Sequence, residues 1–321
     1  MIVGEEGTGT LTISGSGKVN VANILSVGHT ATGNGTVNLN GGILFTNIIT
    51  RNLAGTSQLN FNGGTVKARS NQAEFFPNFN AATSELQAGG LKVDSNGFTV
   101  ATSVGLDGVG GVTKQGAGTL RLTGPTTFSG GTTVDSGTLE AAAANALGGT
   151  NNVTLNPGGT LLLSNIGTTN RINNAATITM SGGTIGFSGN ITEASSPGTG
   201  ALTLTTNSIV DFAGGNSIIN FGASNLAAWT GGAILSIYNW DGLYTGGGND
   251  QVLFGSDTTG LTQSQLNQVS FFSGPGSGFL GTAFILSNGE LVPVPEPSAV
   301  FTVLGLLGLV GYRERRRFRR N

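Results

Sequence analysis

Cysteine is absent from the 321 residues, and histidine occurs once, as His29. The first absence excludes disulfides and thiolate metal sites. The second leaves a single imidazole, and His29, set between Gly28 and Thr30, reads as a surface or turn residue rather than a base. Charge is also sparse: Asp, Glu, Lys and Arg make up 9% of the chain, against roughly 25% in an ordinary domain. That excludes the charge-rich composition of common disordered chains. Pro is limited to eight residues, and the 56 Gly never settle into a period of three, which excludes a collagen-like helix. Residues 1–292 carry 14 acidic and eight basic groups, and this weakly acidic body offers no electrostatic footprint for nucleic acid. There is no P-loop with its lysine, and no Gly-x-Ser-x-Gly elbow with a histidine partner.

What is present is Gly, Thr, Ser and Asn between short apolar runs. Gly35-Thr36-Val37-Asn38-Leu39-Asn40-Gly41-Gly42 and Ser57-Gln58-Leu59-Asn60-Phe61-Asn62-Gly63-Gly64 share one formula. Alternation at period two gives each strand one apolar face, and Asn-Gly-Gly supplies the backbone for a turn. The densest pattern lies in 111–141, where Gly-Thr pairs open strands at Thr119-Leu120, Thr132-Thr133 and Thr138-Leu139. It continues through Val153-Thr154-Leu155, Thr160-Leu161-Leu162-Leu163 and Thr184-Ile185. Such units bury an apolar face only by stacking. Their spacing also fits a sandwich. Variable insertions such as 69–82, placed as surface loops, and Asn recurring at equivalent turns favour a solenoid. Residues 201–292 are more aromatic, with Trp229, Tyr238, Trp240 and Tyr244. There the pattern predicts strands at 234–238, 269–272 and 283–286 and a short helix capped by Thr262. This segment is expected to cover the open end of the stack.

The chain ends with a proline-rich break at 293–297, an apolar run at 298–312 and six arginines: Arg313, Arg315, Arg316, Arg317, Arg319 and Arg320. That order predicts a single transmembrane helix over 298–312, with the arginines holding the chain end in the cytoplasm. Met1-Ile2-Val3-Gly4-Glu5-Glu6 has neither the basic start nor the apolar core of a signal peptide. The sequence begins inside its own strand pattern, so the true start is expected to lie upstream.

Val294-Pro295-Glu296-Pro297, followed by the apolar run and the arginines, resembles the PEP-CTERM sorting signal of Gram-negative bacteria. The resemblance implies recognition at Pro295, Glu296 and Pro297 by a membrane-embedded exosortase, removal of the tail, and delivery to the outer envelope or extracellular matrix. Residues 111–141, through Lys114-Gln115-Gly116-Ala117-Gly118-Thr119-Leu120, Gly130-Gly131-Thr132 and Gly137-Thr138-Leu139, resemble the autotransporter-associated β-strand repeat. That family implies a passenger-type parallel β-helix, although a β-barrel translocator is not recognised in the sequence. Asn239-Trp240-Asp241-Gly242 and the following glycine-rich stretch are similar to the region that precedes the signal in such sorted proteins.

The expected fold class is therefore all-β: a right-handed parallel β-helix over 1–200, a β-rich cap over 201–292, and the sorting signal with its transmembrane helix over 293–321. Asp94 with Lys92 and Asp107 with Lys114 are the nearest approach to a polysaccharide-cleaving constellation, and each reads equally well as scattered surface charge. Asp241, Asp250 and Asp257 offer oxygen ligands for calcium but fit neither the EF-hand nor the nonapeptide spacing. No catalytic, cofactor or metal residue is assigned. The expected function is structural or adhesive, with extracellular polysaccharide, the membrane and the exosortase as partners and nucleic acid excluded. The rival expectation is a polysaccharide lyase or glycoside hydrolase.

Overall fold

A computed structural model describes residues 1–164, 170–193, 199–213 and 215–294. The chain winds into a right-handed parallel β-solenoid. One side stacks Thr8–Asn20, Asn34–Thr46, Thr56–Ala68, Ser84–Asp94, Val112–Gln115, Thr132–Val134, Asn152–Leu155, Thr177–Ser181 and Thr199–Thr206, all in parallel. A second side stacks Thr99–Thr102, Thr119–Leu122, Gly137–Ala141, Gly159–Leu163, Thr184–Phe187, Ser208–Asp211, Leu235–Tyr238 and Val269–Gly274. Shorter parallel groups complete the perimeter, among them Ile24–Val27 with Ile48–Arg51 and Ile218–Gly222 with Gln251–Phe254. Partners lie from 19 residues apart (Thr119 opposite Thr138) to 34 (Leu235 opposite Val269), so coil length varies, and the register shifts at irregularities such as that between Gly15 and Lys18.

Alternation decides which residues go inside. On the second side Val100, Leu120, Leu139, Leu161, Ile185, Val210, Ile237 and Phe271 stand opposite one another coil after coil. All eight are buried. Each such side chain contributes about 1.5–3 kcal/mol of apolar burial, and stacking places it against a like neighbour above and below. The segment 69–82, expected as a surface loop, instead supplies part of the wall. Phe75 and Phe76 are buried, and Phe76 packs edge-on against Phe61 with ring centroids 5.6 Å apart. The Ile49 N–H donates to the Phe75 carbonyl, and the Phe75 N–H donates to Ala101. An aromatic pair too large to leave in water pulls the insertion inward.

The parallel order stops at one end. Ser277–Ile285 runs antiparallel to Val269–Gly274, and Glu290–Val294 runs antiparallel to both Ser277–Ile285 and Gln251–Phe254. The hairpin thus joins the last strands of two sides into one continuous sheet, so neither presents a bare edge there. Pro293 and Val294 lie within this pairing, opposite Ala283 and Thr282. The helix Gln263–Leu266 is capped by Thr262, as the sequence predicts, and Gln265 completes a capping box with it.

The expected transmembrane helix requires correction. No helix among the described residues is long and apolar enough to cross a membrane, a crossing that takes about 20 apolar residues. The one helix there has four residues, and most apolar side chains of the body lie in the solenoid core. Residues 295–321 lie outside the described residues, and with them the expected span at 298–312, the recognition residues Pro295, Glu296 and Pro297, and Arg313, Arg315, Arg316, Arg317, Arg319 and Arg320. Membrane-held localisation, and the membrane as a partner through a C-terminal helix, fall with the helix on which they rested.

Candidate functional surface

The outward positions of the two regular sides carry threonine in register. On the first side Thr113, Thr133, Thr154, Thr179 and Thr203 are successive partners, with Lys92 and Thr65 continuing the row. On the second side Thr99, Thr119, Thr138, Thr160 and Thr184 form a matching row. The rows flank the turn that joins the sides, for example Gly116-Ala117-Gly118 between Thr113 and Thr119. Adjacent parallel strands lie about 4.8 Å apart, so each row offers a hydroxyl, both donor and acceptor, at that repeat. In the earliest coils the row passes to Ile43 and Lys18, and a separate amide ladder forms earlier along the same strands. Asn60 Nδ2 donates to Asn38 Oδ1 at 2.8 Å, and Asn38 Nδ2 donates to Thr12 Oγ1 at 3.4 Å. The ladder forms at these strand positions, two residues before the Asn40 and Asn62 that precede Gly-Gly. Asn62 Oδ1 accepts the Gly89 N–H at 2.8 Å.

The turn between the threonine rows is fastened from inside by Lys114, which is neither scattered surface charge nor part of a cleft. Lys114 occupies the inward ladder between Val93 and Val134 and is completely buried. Its Nζ donates to the carbonyls of Gln115 at 3.0 Å, Gly116 at 2.6 Å and Ser136 at 3.1 Å. Burial lowers the lysine to about 8, with nearby Asp94 pulling the other way. The alternation Val112, Thr113, Lys114 was the available signal: an inward position holding a lysine. Gly137 sits beside this ammonium at φ +70°. A methyl group there would come within 2.5 Å of the Gly116 carbonyl and 2.8 Å of Lys114 Nζ. The Gly of the Gly137-Thr138-Leu139 motif is thereby explained by both its conformation and its neighbour.

The other acids and bases do not gather into a catalytic or metal site. Lys67 Nζ meets Asp94 Oδ2 at 2.7 Å, and Arg121 Nε meets Glu140 Oε1 at 3.0 Å; each pair links adjacent coils. Lys92 faces outward in the threonine row, and Asp107 accepts from Thr127 Oγ1 at 2.9 Å. With Lys114 inside, Asp107 and Lys114 do not meet in a cleft. His29 is exposed, 3.1 Å from Ser26 Oγ. Asp241 and Asp250 share a cleft of about 270 Å³ with Phe212, Asn216 and Asn239. Asp250 accepts the N–H groups of Ser217 at 3.1 Å and Asp241 at 2.9 Å, and burial raises it above the usual carboxylate range. Asp257 bonds within its own turn, to Thr259, and those bonds lower it. The three aspartates therefore do not converge on one point, and no cluster of three or more metal-ligating side chains occurs among the described residues.

One buried ion pair escaped the sequence reading. Arg171 and Glu193 are fully buried, with Nη1 3.5 Å from Oε2. The Glu193 carboxylate accepts the N–H groups of Arg171 at 3.0 Å and Ile172 at 2.8 Å, filling the place of a neighbouring strand's carbonyls. Burial pushes the glutamate up and the arginine down, each offset by the other.

Against known families, residues 112–141 match the passenger-associated-transport-repeat. The match spans two successive turns of the wall, Val112–Gln115 with Thr119–Leu122 and Thr132–Val134 with Gly137–Ala141, including Lys114 and its cradle. No curated protein and no solved structure matches the chain. The molecule is a β-solenoid repeat protein with a passenger-associated repeat region.

Proposed function

We propose that this chain is an exported structural or adhesive protein of the cell surface or extracellular matrix, directed there by a C-terminal sorting signal recognised at Pro295, Glu296 and Pro297. The observation that carries the reading is the pair of in-register threonine rows on a wall whose charges are largely spent in fastening coils together. Such a wall is a long, rigid surface of repeated hydroxyls, suited to contact with extended, hydroxyl-rich material rather than to enclosing a small substrate. The passenger-associated repeat at its centre agrees with work outside the cytoplasm. Extracellular polysaccharide is the natural contact for such a face.

The test is to fractionate the producing cells, locate the protein with an antibody against the solenoid, and measure the intact mass of the extracellular form. The expected result is protein outside the cell, with a C-terminus ending upstream of Arg313. Retention in the cytoplasm would refute the role. Extracellular protein with all six terminal arginines intact would refute the sorting signal while leaving the structural role standing.

A further inference from the structure

At the hairpin-closed end of the second side, the outward rows change character. The row that runs from Arg121 through Glu140, Leu162, Gly186 and Asp211 continues as Tyr238. The Tyr238 ring meets Phe272 edge-to-face at 5.4 Å between centroids, and Phe272 meets Phe279 in the same way at 5.6 Å. Tyr238 and Phe272 are part-exposed and Phe279 is 45% exposed. Two residues along the same strands runs a hydroxyl row, Ser236, Ser270 and Thr282. Aromatic side chains of this size ordinarily go inside; Phe271, next in sequence to Phe272, does so.

We propose that Tyr238, Phe272 and Phe279, with the Ser236–Ser270–Thr282 hydroxyls beside them, form a binding platform for a neutral polysaccharide. The inference rests on the adhesive reading above and gives it a located site. The negative ring faces attract the weakly positive C–H groups that line the flat faces of a sugar ring. The hydroxyl row lies where the sugar's equatorial hydroxyls would emerge. Charge complementarity selects the neutral class. The carboxylate of the row next to the rings, Asp211, is already held by Asn239 Nδ2 at 2.6 Å and the Ala213 N–H at 3.0 Å. The arginine of the Tyr238 row, Arg121, lies five strands back and is paired with Glu140, so an acidic glycan finds no counter-charge beside the rings. The platform is pre-organised, because the strands beneath it are tied by parallel pairing on one side and by the closing hairpin on the other.

The test is calorimetric titration of the full chain with cellohexaose and laminarihexaose as neutral probes and oligogalacturonate as the acidic one. Tyr238→Leu and Phe272→Leu remove the ring faces and keep apolar bulk; Ser270→Ala removes a hydroxyl and adds no atom. Circular dichroism checks that each variant keeps its β signal. The expected result is binding of a neutral probe, weakened at least tenfold by each Leu variant and measurably by Ser270→Ala. Neutral binding that the Leu variants leave unchanged would overturn the platform without touching the adhesive role. Preference for oligogalacturonate would overturn the ligand class. Extracellular protein that binds none of the probes would overturn the inference alone. A change of oligomeric state in the Leu variants, seen by light scattering, would reassign the face to contact between copies.

Discussion

Lys114 provides the sharpest test of how the wall is held. The unfolded chain keeps its proton up to about pH 10.5, whereas burial makes the folded chain release it near pH 8. Below pH 8 both states carry the charge, and the fold bears the full cost of burying it. Between pH 8 and 10.5 the unfolded state binds more protons, so stability rises with pH. The span corresponds to about 3 kcal/mol for this residue. Lys114→Met removes that cost and also removes the donor from three part-buried carbonyls, at about 1 kcal/mol each. At pH 7 the two effects nearly cancel, and the variant is expected within about 1 kcal/mol of the parent. At pH 10.5 the parent should lead by about 3 kcal/mol. Urea unfolding of both proteins across pH 7–10.5 measures the difference, in which the titration of every other group cancels. A difference that stays flat over this range would refute the buried, charge-penalised lysine. So would a Met variant already 3 kcal/mol weaker at pH 7.

Three further outcomes follow from the geometry. Gly137→Ala forces a methyl group against the Gly116 carbonyl and Lys114 Nζ at positive φ; thermal unfolding should show a loss of about 2 kcal/mol or more. Leu139→Ala opens a hole in the inward ladder between Leu120 and Leu161, with an expected loss of about 2–5 kcal/mol. Glu193→Ala leaves the buried Arg171 without its carboxylate and strips an acceptor from two backbone N–H groups. A loss of about 3–5 kcal/mol is expected, with hydrogen exchange quickening first at Arg171 and Ile172.

The solenoid is legible wherever alternation is strict. Leu120, Leu139 and Leu161 fall inside because Thr119, Thr138 and Thr160 fall outside, and the glycines before them mark the turns. The same rule places Lys114 inside, but the chemical habit of lysine argued for the surface, and the cradle of carbonyls that overrules this habit is visible only in three dimensions. Arg171 and Glu193 sit where strands are shortest and no period exists to be read. Phe75 and Phe76 lay in an apparent insertion, and only their size hinted that they would turn inward. The surface rows are harder still. Outward threonines look alike in sequence whether or not they line up, and the meeting of Tyr238, Phe272 and Phe279 depends on coils of unequal length arriving in register.

The hairpin that closes one end has a consequence for the length of the molecule. The backbone of each coil pairs only with the coils above and below it, so duplicating one of about 20 residues, such as 112–131, would add about 4.8 Å without altering the terminating strands. The rod is in this sense a ruler graduated in coils. Its reach can change by whole steps, each new step carrying its own pair of threonines, while the aromatic end remains at the tip.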